Sequence, residues 1–168
     1  MFFTLLISFI ILQRLVELYI AKKNEAWMKA RGAYEVGREH YKYIVSLHVM
    51  FLFSLVAEVY IGEKEMAEWG WLPLLVFILA QCLRFWSIKS LGRRWNTRII
   101  VLPKDVVRTG PYRFLKHPNY VTVAIEILVI PLIFQAYWTA VIFSVLNAVV
   151  LLGIRIPVEE RALNDTLK

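Results

Sequence analysis

The chain has 168 residues, of which 59% are hydrophobic, and its mean hydropathy is +0.56. Soluble domains are usually about 45–50% apolar, so this composition argues against a soluble domain. The net charge of +7 does not indicate nucleic-acid binding, because the basic residues lie between the apolar runs, where they orient a membrane protein. The chain has a single cysteine, Cys82, which excludes an internal disulfide.

The first apolar span is predicted at residues 2–20. It lacks a basic start and a small-residue cleavage site, so we interpret it as a retained signal anchor. Arg14 and Glu17 are three residues apart and share a helix face near the end of this span. They form either an ion pair that packs against a neighbouring helix or part of a buried polar site. The following stretch, 21–42, mixes basic and aromatic residues, which predicts an interfacial amphipathic segment.

Two further spans are predicted at 43–61 and 71–88, joined by a short acidic loop. His48 lies inside the second span, where a histidine is more often a core residue with its hydrogen bonds made than a catalytic one. Gln81 and Arg84 share one face of the third span. Charged side chains within such spans are costly and usually face the interior of a helix bundle.

A second basic stretch, 89–118, is too long for a bare connector, so we expect it to be structured. Its apolar run at 99–102 is predicted either to pair as a strand or to lie against the membrane. Spans four and five, at 120–134 and 137–156, are separated by an uncharged link and therefore predict a tight helical hairpin. Glu126, inside span four, is expected to face the bundle.

The distribution of basic residues predicts the topology. Positive charge concentrates in 21–42 and 89–118, which places both segments and the C-terminal tail in the cytoplasm. With five spans the N-terminus lies outside. The sequence therefore predicts an all-α polytopic membrane protein with about five transmembrane helices, a single domain over 1–168, and a cofactor pocket at the cytoplasmic face.

Chemically capable side chains are densest in the run 109–120. Gly-Pro favours a turn, and Pro118 disfavours the helical conformation at His117, so we predict a loop that leads into a helix. The run supplies aromatic faces, a cation, an imidazole and an amide through Tyr112, Lys116, His117, Asn119 and Tyr120.

A second cluster lies at the end of span five. Arg155 and Glu159 are four residues apart and share a face if the helix continues. Pro157 is expected to break the fifth helix, to turn the cluster over the loop that contains His117, and to leave 158–168 as a polar tail. The alternative is an interfacial arginine beside two solvated glutamates.

Three motifs follow one another along the chain: Gly110-Pro111-Tyr112, then Lys116-His117-Pro118-Asn119-Tyr120, then Arg155 with Glu159-Glu160. Together they resemble the signature of the isoprenylcysteine carboxyl methyltransferase family, which is itself similar to the membrane phospholipid N-methyltransferases. The resemblance covers about 104–163. Lys116 stands where the family usually has arginine, which keeps the charge but loses the planar fork of hydrogen-bond donors.

The resemblance implies S-adenosylmethionine as the methyl donor and no metal. It implies that Glu159 holds a polar group of the cofactor, that Glu160 is the second glutamate of the motif, and that Arg155 lies on the substrate side. The resemblance also implies backbone contacts to the cofactor from the segment between Lys104 and Val107. The remaining cofactor-binding residues implied are Tyr112, His117, Pro118, Asn119 and Tyr120.

The chemistry of these residues is consistent with that role. Carboxylates accept hydrogen bonds from a ribose and an ammonium, and tyrosine faces suit an adenine and a sulfonium. Lys116 or His117 offers a cation to the methionine carboxylate. An acceptor oxygen that is already ionised needs alignment and exclusion of water more than a strong base, and Arg155 would orient such an anion.

The predicted reaction is O-methyl transfer to a lipophilic acceptor that enters from the bilayer. The run Leu91-Gly92-Arg93-Arg94-Trp95, with Thr97-Arg98, is similar to a bacterial branch found beside type III polyketide synthases, whose members methylate long-chain alkylpyrones. This resemblance implies an alkylpyrone as acceptor and a bacterial inner membrane as location.

Other functions remain open at the level of the sequence. The acceptor is alternatively a prenyl-thioether acid or another lipid acid, or an amine. A different class is a small transporter or scaffold that uses the charges of Glu58, Arg84 and Glu126, although no inverted repeat is visible. The sequence also leaves open which intramembrane polar residues join the site, namely Arg14, Glu17, His48, Arg84 and Glu126.

Overall fold

The computed structural model describes residues 1–103 and 107–166, which form six α-helices and two short strands. In chain order these are α1 (Phe2–Lys29), β1 (Tyr34–Val36), α2 (Arg38–Ile61), α3 (Trp71–Leu91), β2 (Ile99–Val101), α4 (Pro118–Ile133), α5 (Tyr137–Val150) and α6 (Ile156–Thr166). Short 3₁₀ turns occupy Gly92–Arg94 and Gly110–Arg113.

Four helical stretches within the described part of the chain are long and apolar enough to cross a membrane. They are Phe2–Lys29, Arg38–Ile61, Trp71–Arg94 and Tyr137–Asp165. The fifth apolar helix, α4, has 16 residues and is about 24 Å long, whereas the hydrocarbon core of a bilayer is about 30 Å thick. The prediction of a mostly helical polytopic protein agrees with this architecture, whereas five membrane crossings stay a prediction.

The apolar core fills one half of the helix bundle. Phe3 and Ile7 at the start of α1 pack with Leu55 of α2, Ile133 of α4 and Phe143 of α5, and all five side chains are buried. Many large apolar side chains on the outer faces of the same helices are exposed, as expected for surfaces that contact lipid. The half of the bundle without this core contains the polar residues described below.

A tight hairpin joins α4 to α5, as the uncharged link predicts. Gln135 adopts a left-handed conformation there, with φ of 58°. The carboxylate of Glu58 accepts hydrogen bonds from the backbone N–H groups of Trp138 (3.3 Å) and Thr139 (2.8 Å), and it pairs with Lys64 at 2.7 Å. Glu58 therefore caps the N-terminus of α5, where the helix dipole favours negative charge. This intramembrane charge has a structural role.

The two basic stretches of the sequence meet at the opposite end of the bundle from this hairpin. There β1 pairs with β2 in an antiparallel register, with Glu35 opposite Ile100, and we call this the basic end. The strand alternative for 99–102 is therefore confirmed for β2. Arg98, just before β2, binds Glu35 at 3.1 Å. The first basic stretch is not a separate amphipathic segment, because α1 continues to Lys29 and β1 follows.

The predicted break at Pro157 is wrong. A π-helical turn, Leu151–Arg155, connects α5 directly to α6, and Pro157 lies in the first turn of α6. Proline is tolerated there because the π turn already interrupts the regular ladder of hydrogen bonds. The segment predicted as a polar tail is helical as far as Thr166, and its residues Val158 and Ala162 pack against β2.

Candidate functional site

The loop that carries Tyr112 is fixed on the end of α3. Gly110 has φ of +59°, and a Cβ added there would lie 2.0 Å from Oγ of Ser90, so only glycine fits. Pro111 is buried beside it. The hydroxyl of Tyr112 accepts a hydrogen bond from Nδ2 of Asn119 at 3.1 Å. Burial raises the pKa of the Tyr112 phenol, so this hydroxyl stays protonated near neutral pH.

The start of α4 and the face of α6 come together around one imidazole. His117 immediately precedes α4, and its ring stacks on Tyr120 with 5.3 Å between ring centroids. The hydroxyl of Tyr120 donates a short hydrogen bond to Glu159. His117 Nδ1 lies 3.7 Å from Glu159, and Nε2 lies 3.4 Å from Glu160. The two clusters expected to meet at this face are therefore in contact.

The carboxylates beside His117 alter its protonation. The contact with Glu159 raises the pKa of His117, and the charge of both glutamates adds to this effect, which outweighs desolvation of the ring. The imidazolium is therefore favoured in the folded protein. The imidazolium offsets the charge of one carboxylate, and Lys116, 3.4 Å from Glu160, offsets that of the other.

This raised pKa predicts a pH-dependent stability. The contribution of the His117 imidazolium is fully present below the unfolded pKa of about 6.5, and it is lost as pH rises through the higher folded value. We expect the melting temperature of His117→Gln to lie below that of the wild type by on the order of 2 °C at about pH 6, and by less at about pH 9.

Thermal unfolding of the detergent-purified protein, without ligand, measures this difference. His40→Gln serves as the control, because His40 lies at the start of α2 and has no such pair of carboxylates among the described residues. A difference between the wild type and His117→Gln that stays constant across the pH range would contradict the assigned ion pairs.

Arg155 ends the π-helical turn and is buried, with 4% of its surface exposed. Its Nη2 donates to the backbone carbonyl of Thr97 at 3.0 Å. Its buried Nε has no hydrogen-bond partner in the part of the chain that the structure describes. A buried donor without an acceptor is costly, so an anionic oxygen beside this guanidinium would offset that cost. Thr97 was not predicted for this role, because a backbone carbonyl leaves no signature in the sequence.

These side chains line one cavity of about 670 Å³ that extends from the basic end into the bundle. Pro118 is buried at the first turn of α4 and is not a lining residue, and Lys104 lies outside the described residues. Within the described ranges, no group of three or more His, Cys, Asp or Glu side chains is arranged to hold a metal ion. The predicted site residues that do line the cavity are Val107, Tyr112, His117, Asn119, Tyr120, Arg155, Glu159 and Glu160.

A group of polar side chains joins α1, α3 and α4 deep in the bundle. We call it the polar layer; its members are Gln13, Arg14, Glu17, Gln81, Arg84 and Glu126. Arg14 bridges Glu17, at 2.7 Å, and Glu126. Arg84 also contacts both carboxylates, at 3.1 Å from Glu17 and 2.5 Å from Glu126. Glu126 therefore faces the bundle, as predicted.

Five of the intramembrane polar residues line the cavity. Arg14, Glu17, Arg84 and Glu126 line its inner end, together with His48 of α2. The sequence left open whether Arg14 and Glu17 pack against neighbouring helices or shape a polar site. The structure shows contacts with side chains of neighbouring helices, and both residues also border the cavity. Their spacing in the sequence predicts the contact between Arg14 and Glu17, but it does not predict the contacts of these residues with α3 and α4.

Known proteins resemble this chain over most of its length. A family model described as the isoprenylcysteine carboxyl methyltransferase (ICMT) family matches residues 71–165, from α3 into α6. A protein of Bacillus subtilis, described as uncharacterized protein YpbQ, is 47% identical over 165 residues, which is 97% of each chain. An uncharacterized protein of Haemophilus influenzae is 25% identical over 166 residues, which is 98% of this chain and 96% of that protein.

Proposed function

Because the chain belongs to the isoprenylcysteine carboxyl methyltransferase family, whose members are membrane methyltransferases, we propose that it transfers a methyl group from S-adenosylmethionine to an oxygen of a lipophilic acceptor. One observation carries this proposal. The Tyr120–Glu159–His117 cluster and the buried Arg155 border a single cavity, so groups that suit a methyl donor and groups that suit an anionic acceptor face the same space.

The residues present suit the cofactor. Glu159 accepts from Tyr120 and has 28% of its side chain exposed, so it has room to accept hydrogen bonds from a ribose or an ammonium. The His117 imidazolium offers a cation to the methionine carboxylate. Tyr112 and Tyr120 present aromatic rings for an adenine or a sulfonium. The cavity of about 670 Å³ is of the size usual for small-molecule sites.

Arg155 suits the acceptor. When bound, S-adenosylmethionine supplies a methyl group on a positively charged sulfur, and an acceptor oxygen that is already ionised needs no strong base to receive it. Arg155 orients this oxygen through its guanidinium, which Thr97 holds in place. The surrounding apolar helices exclude water, which strengthens the attraction between Arg155 and the anion.

The acceptor that we propose is the acidic hydroxyl of a long-chain alkylpyrone, which would link the protein to a type III polyketide synthase. Support comes from the apolar residues Leu18, Val45 and Val49, which line the cavity between α1 and α2 and leave room for a long alkyl chain. The alternative is the carboxylate of a prenyl-thioether acid or another lipid acid, which would place the same charge beside Arg155.

The proposed location is the bacterial inner membrane, with the basic end in the cytoplasm and the N-terminus outside. The concentration of basic residues at one end of the bundle supports this orientation. Both relatives described above are bacterial proteins. A cytoplasmic basic end would give the cavity direct access to soluble S-adenosylmethionine.

The test uses detergent-purified protein and methyl-labelled S-adenosylmethionine. We expect saturable binding of S-adenosylhomocysteine and transfer of label to a 4-hydroxy-6-alkyl-2-pyrone. Transfer to a farnesyl-thioether acid alone would support methyl transfer and replace the pyrone as acceptor. Failure of the folded protein to bind S-adenosylhomocysteine would overturn the methyltransferase proposal.

A further inference from the structure

The polar layer is balanced in charge and almost saturated in hydrogen bonds. Glu17 and Glu126 each accept from both arginines and from a glutamine. Arg84 donates through Nε and through both terminal nitrogens. These three side chains therefore have few unused hydrogen-bond donors or acceptors for a ligand. Charges at this depth are expensive, which makes a functional role the default hypothesis for them.

Two side chains at the edge of the layer keep unused hydrogen-bonding capacity. Arg14 uses only two of its five N–H groups within the described part of the chain, and 27% of its side chain is exposed. Nδ1 of His48 lies 2.7 Å from the carbonyl of Ile44, and a carbonyl only accepts, so Nδ1 carries the hydrogen. Nε2 of the neutral ring is then an acceptor, and none of the described residues donates to it.

These two side chains belong to one site. Both line the cavity, and His48 is close enough to Arg14, Arg84 and Glu126 to interact with them electrostatically. Arg14 therefore presents N–H donors and His48 presents a lone pair at the inner end of the cavity. A group that both accepts and donates hydrogen bonds satisfies the two together. A carboxylate, which only accepts, leaves Nε2 of His48 unpaired.

The depth of this site relates it to the proposed reaction. Glu126 follows Tyr120 by six residues on α4, which corresponds to about 9 Å along the helix axis. The inner end of the cavity is therefore separated from the Tyr120–Glu159 cluster by roughly the width of a small polar head group. Because Arg155 and His48 line the same cavity, an elongated acceptor could place one polar group beside each of them.

We propose that His48 and Arg14 form a recognition subsite for a second, neutral polar group of the acceptor, such as a hydroxyl. This inference rests on the proposed function, in which Arg155 binds the oxygen that receives the methyl group. The subsite selects acceptors that carry a hydroxyl in addition to the reacting oxygen, so among alkylpyrones it favours those with a hydroxyl on the alkyl chain. It discriminates against an otherwise similar lipid acid, because a buried site built for hydrogen bonds rejects a ligand that leaves them unmade.

A matched pair of ligands tests the subsite directly. The probes are 8-hydroxyhexadecanoic acid and hexadecanoic acid, which differ by one hydroxyl placed along the chain to match the distance between the two ends of the cavity. Their dissociation constants are measured on protein loaded with S-adenosylhomocysteine. The wild type is expected to bind the hydroxy acid about tenfold more tightly. His48→Leu and His48→Phe are expected to reduce this preference to about one. His48→Gln is expected to keep most of it, since its amide oxygen still accepts a hydrogen bond.

The control is His40→Leu, which changes a histidine of the same helix that does not line the cavity and should retain the preference. All variants should bind S-adenosylhomocysteine within about twofold of the wild type, because His48 lies away from the Tyr120–Glu159 cluster. Equal binding of both acids by the wild type, or an undiminished preference in His48→Leu, would overturn the subsite. Absence of S-adenosylhomocysteine binding would overturn the methyl-transfer proposal instead, and the ratio measured without it still decides the subsite.

Discussion

Glu159→Ala is expected to raise the dissociation constant of S-adenosylhomocysteine by about 100-fold and to remove methyl transfer at ordinary cofactor concentrations. Glu159 is the carboxylate toward which both Tyr120 and His117 are directed, so its loss removes the principal acceptor of the proposed cofactor pocket. The same change leaves the Tyr120 hydroxyl without its partner and removes the carboxylate that contributes most to the raised pKa of His117. Calorimetric titration of the purified variant measures the effect.

Two further variants distinguish the loss of the Glu159 charge from a general effect of substitution on folding. Glu159→Gln keeps the shape of the side chain and one acceptor oxygen, so we expect a smaller loss, of about tenfold. Glu39→Gln changes an exposed glutamate at the start of α2 that does not line the cavity, and it should bind S-adenosylhomocysteine as the wild type does. Unchanged binding by folded Glu159→Ala would remove Glu159 from the cofactor pocket.

Arg155→Lys is expected to lower kcat by about 100-fold while the affinity for S-adenosylhomocysteine changes by less than about threefold. Lysine retains the charge but lacks the planar guanidinium, so it cannot bond the carbonyl of Thr97 and an acceptor oxygen in the same geometry. The variant therefore retains the cofactor pocket and loses alignment of the acceptor. Single-turnover rates at saturating cofactor measure this separation.

Arg161→Lys is the matched control, since Arg161 is an exposed arginine of α6 outside the cavity. We expect its kcat to equal that of the wild type. Full activity of Arg155→Lys would show that the guanidinium does not align the acceptor. An equal loss of cofactor affinity and kcat would place Arg155 on the cofactor side of the cavity.

Much of the fold follows from local pattern. Long apolar runs predict the main helices, and an uncharged link predicts the α4–α5 hairpin. The helical course of α6 was missed because Pro157 suggests a break, whereas the preceding π turn makes proline acceptable there. The strand β1 was missed because three residues carry little pattern, and its partner β2 is distant in the sequence.

The candidate site could likewise be predicted only in part from the sequence. The proximity of His117 to Glu159 was expected, since both residues lie in motifs assigned to one face of the bundle. The bonds from Arg14 and Arg84 to Glu126 depend on the relative heights of three helices, which sequence spacing does not specify. The cavity joins these two groups of residues, and only the arrangement of the helices reveals that it does so.

The pairing of β1 with β2 bears on how the chain is made. During synthesis β1 emerges from the ribosome well before β2, and α6, which packs on β2, emerges last of the three. The edge of β1 is open until β2 is made, and Glu159 is absent until α6 is made. Under the proposed function, the methyl donor therefore cannot stabilise partly inserted chains, whereas a complete chain gains that stabilisation at once.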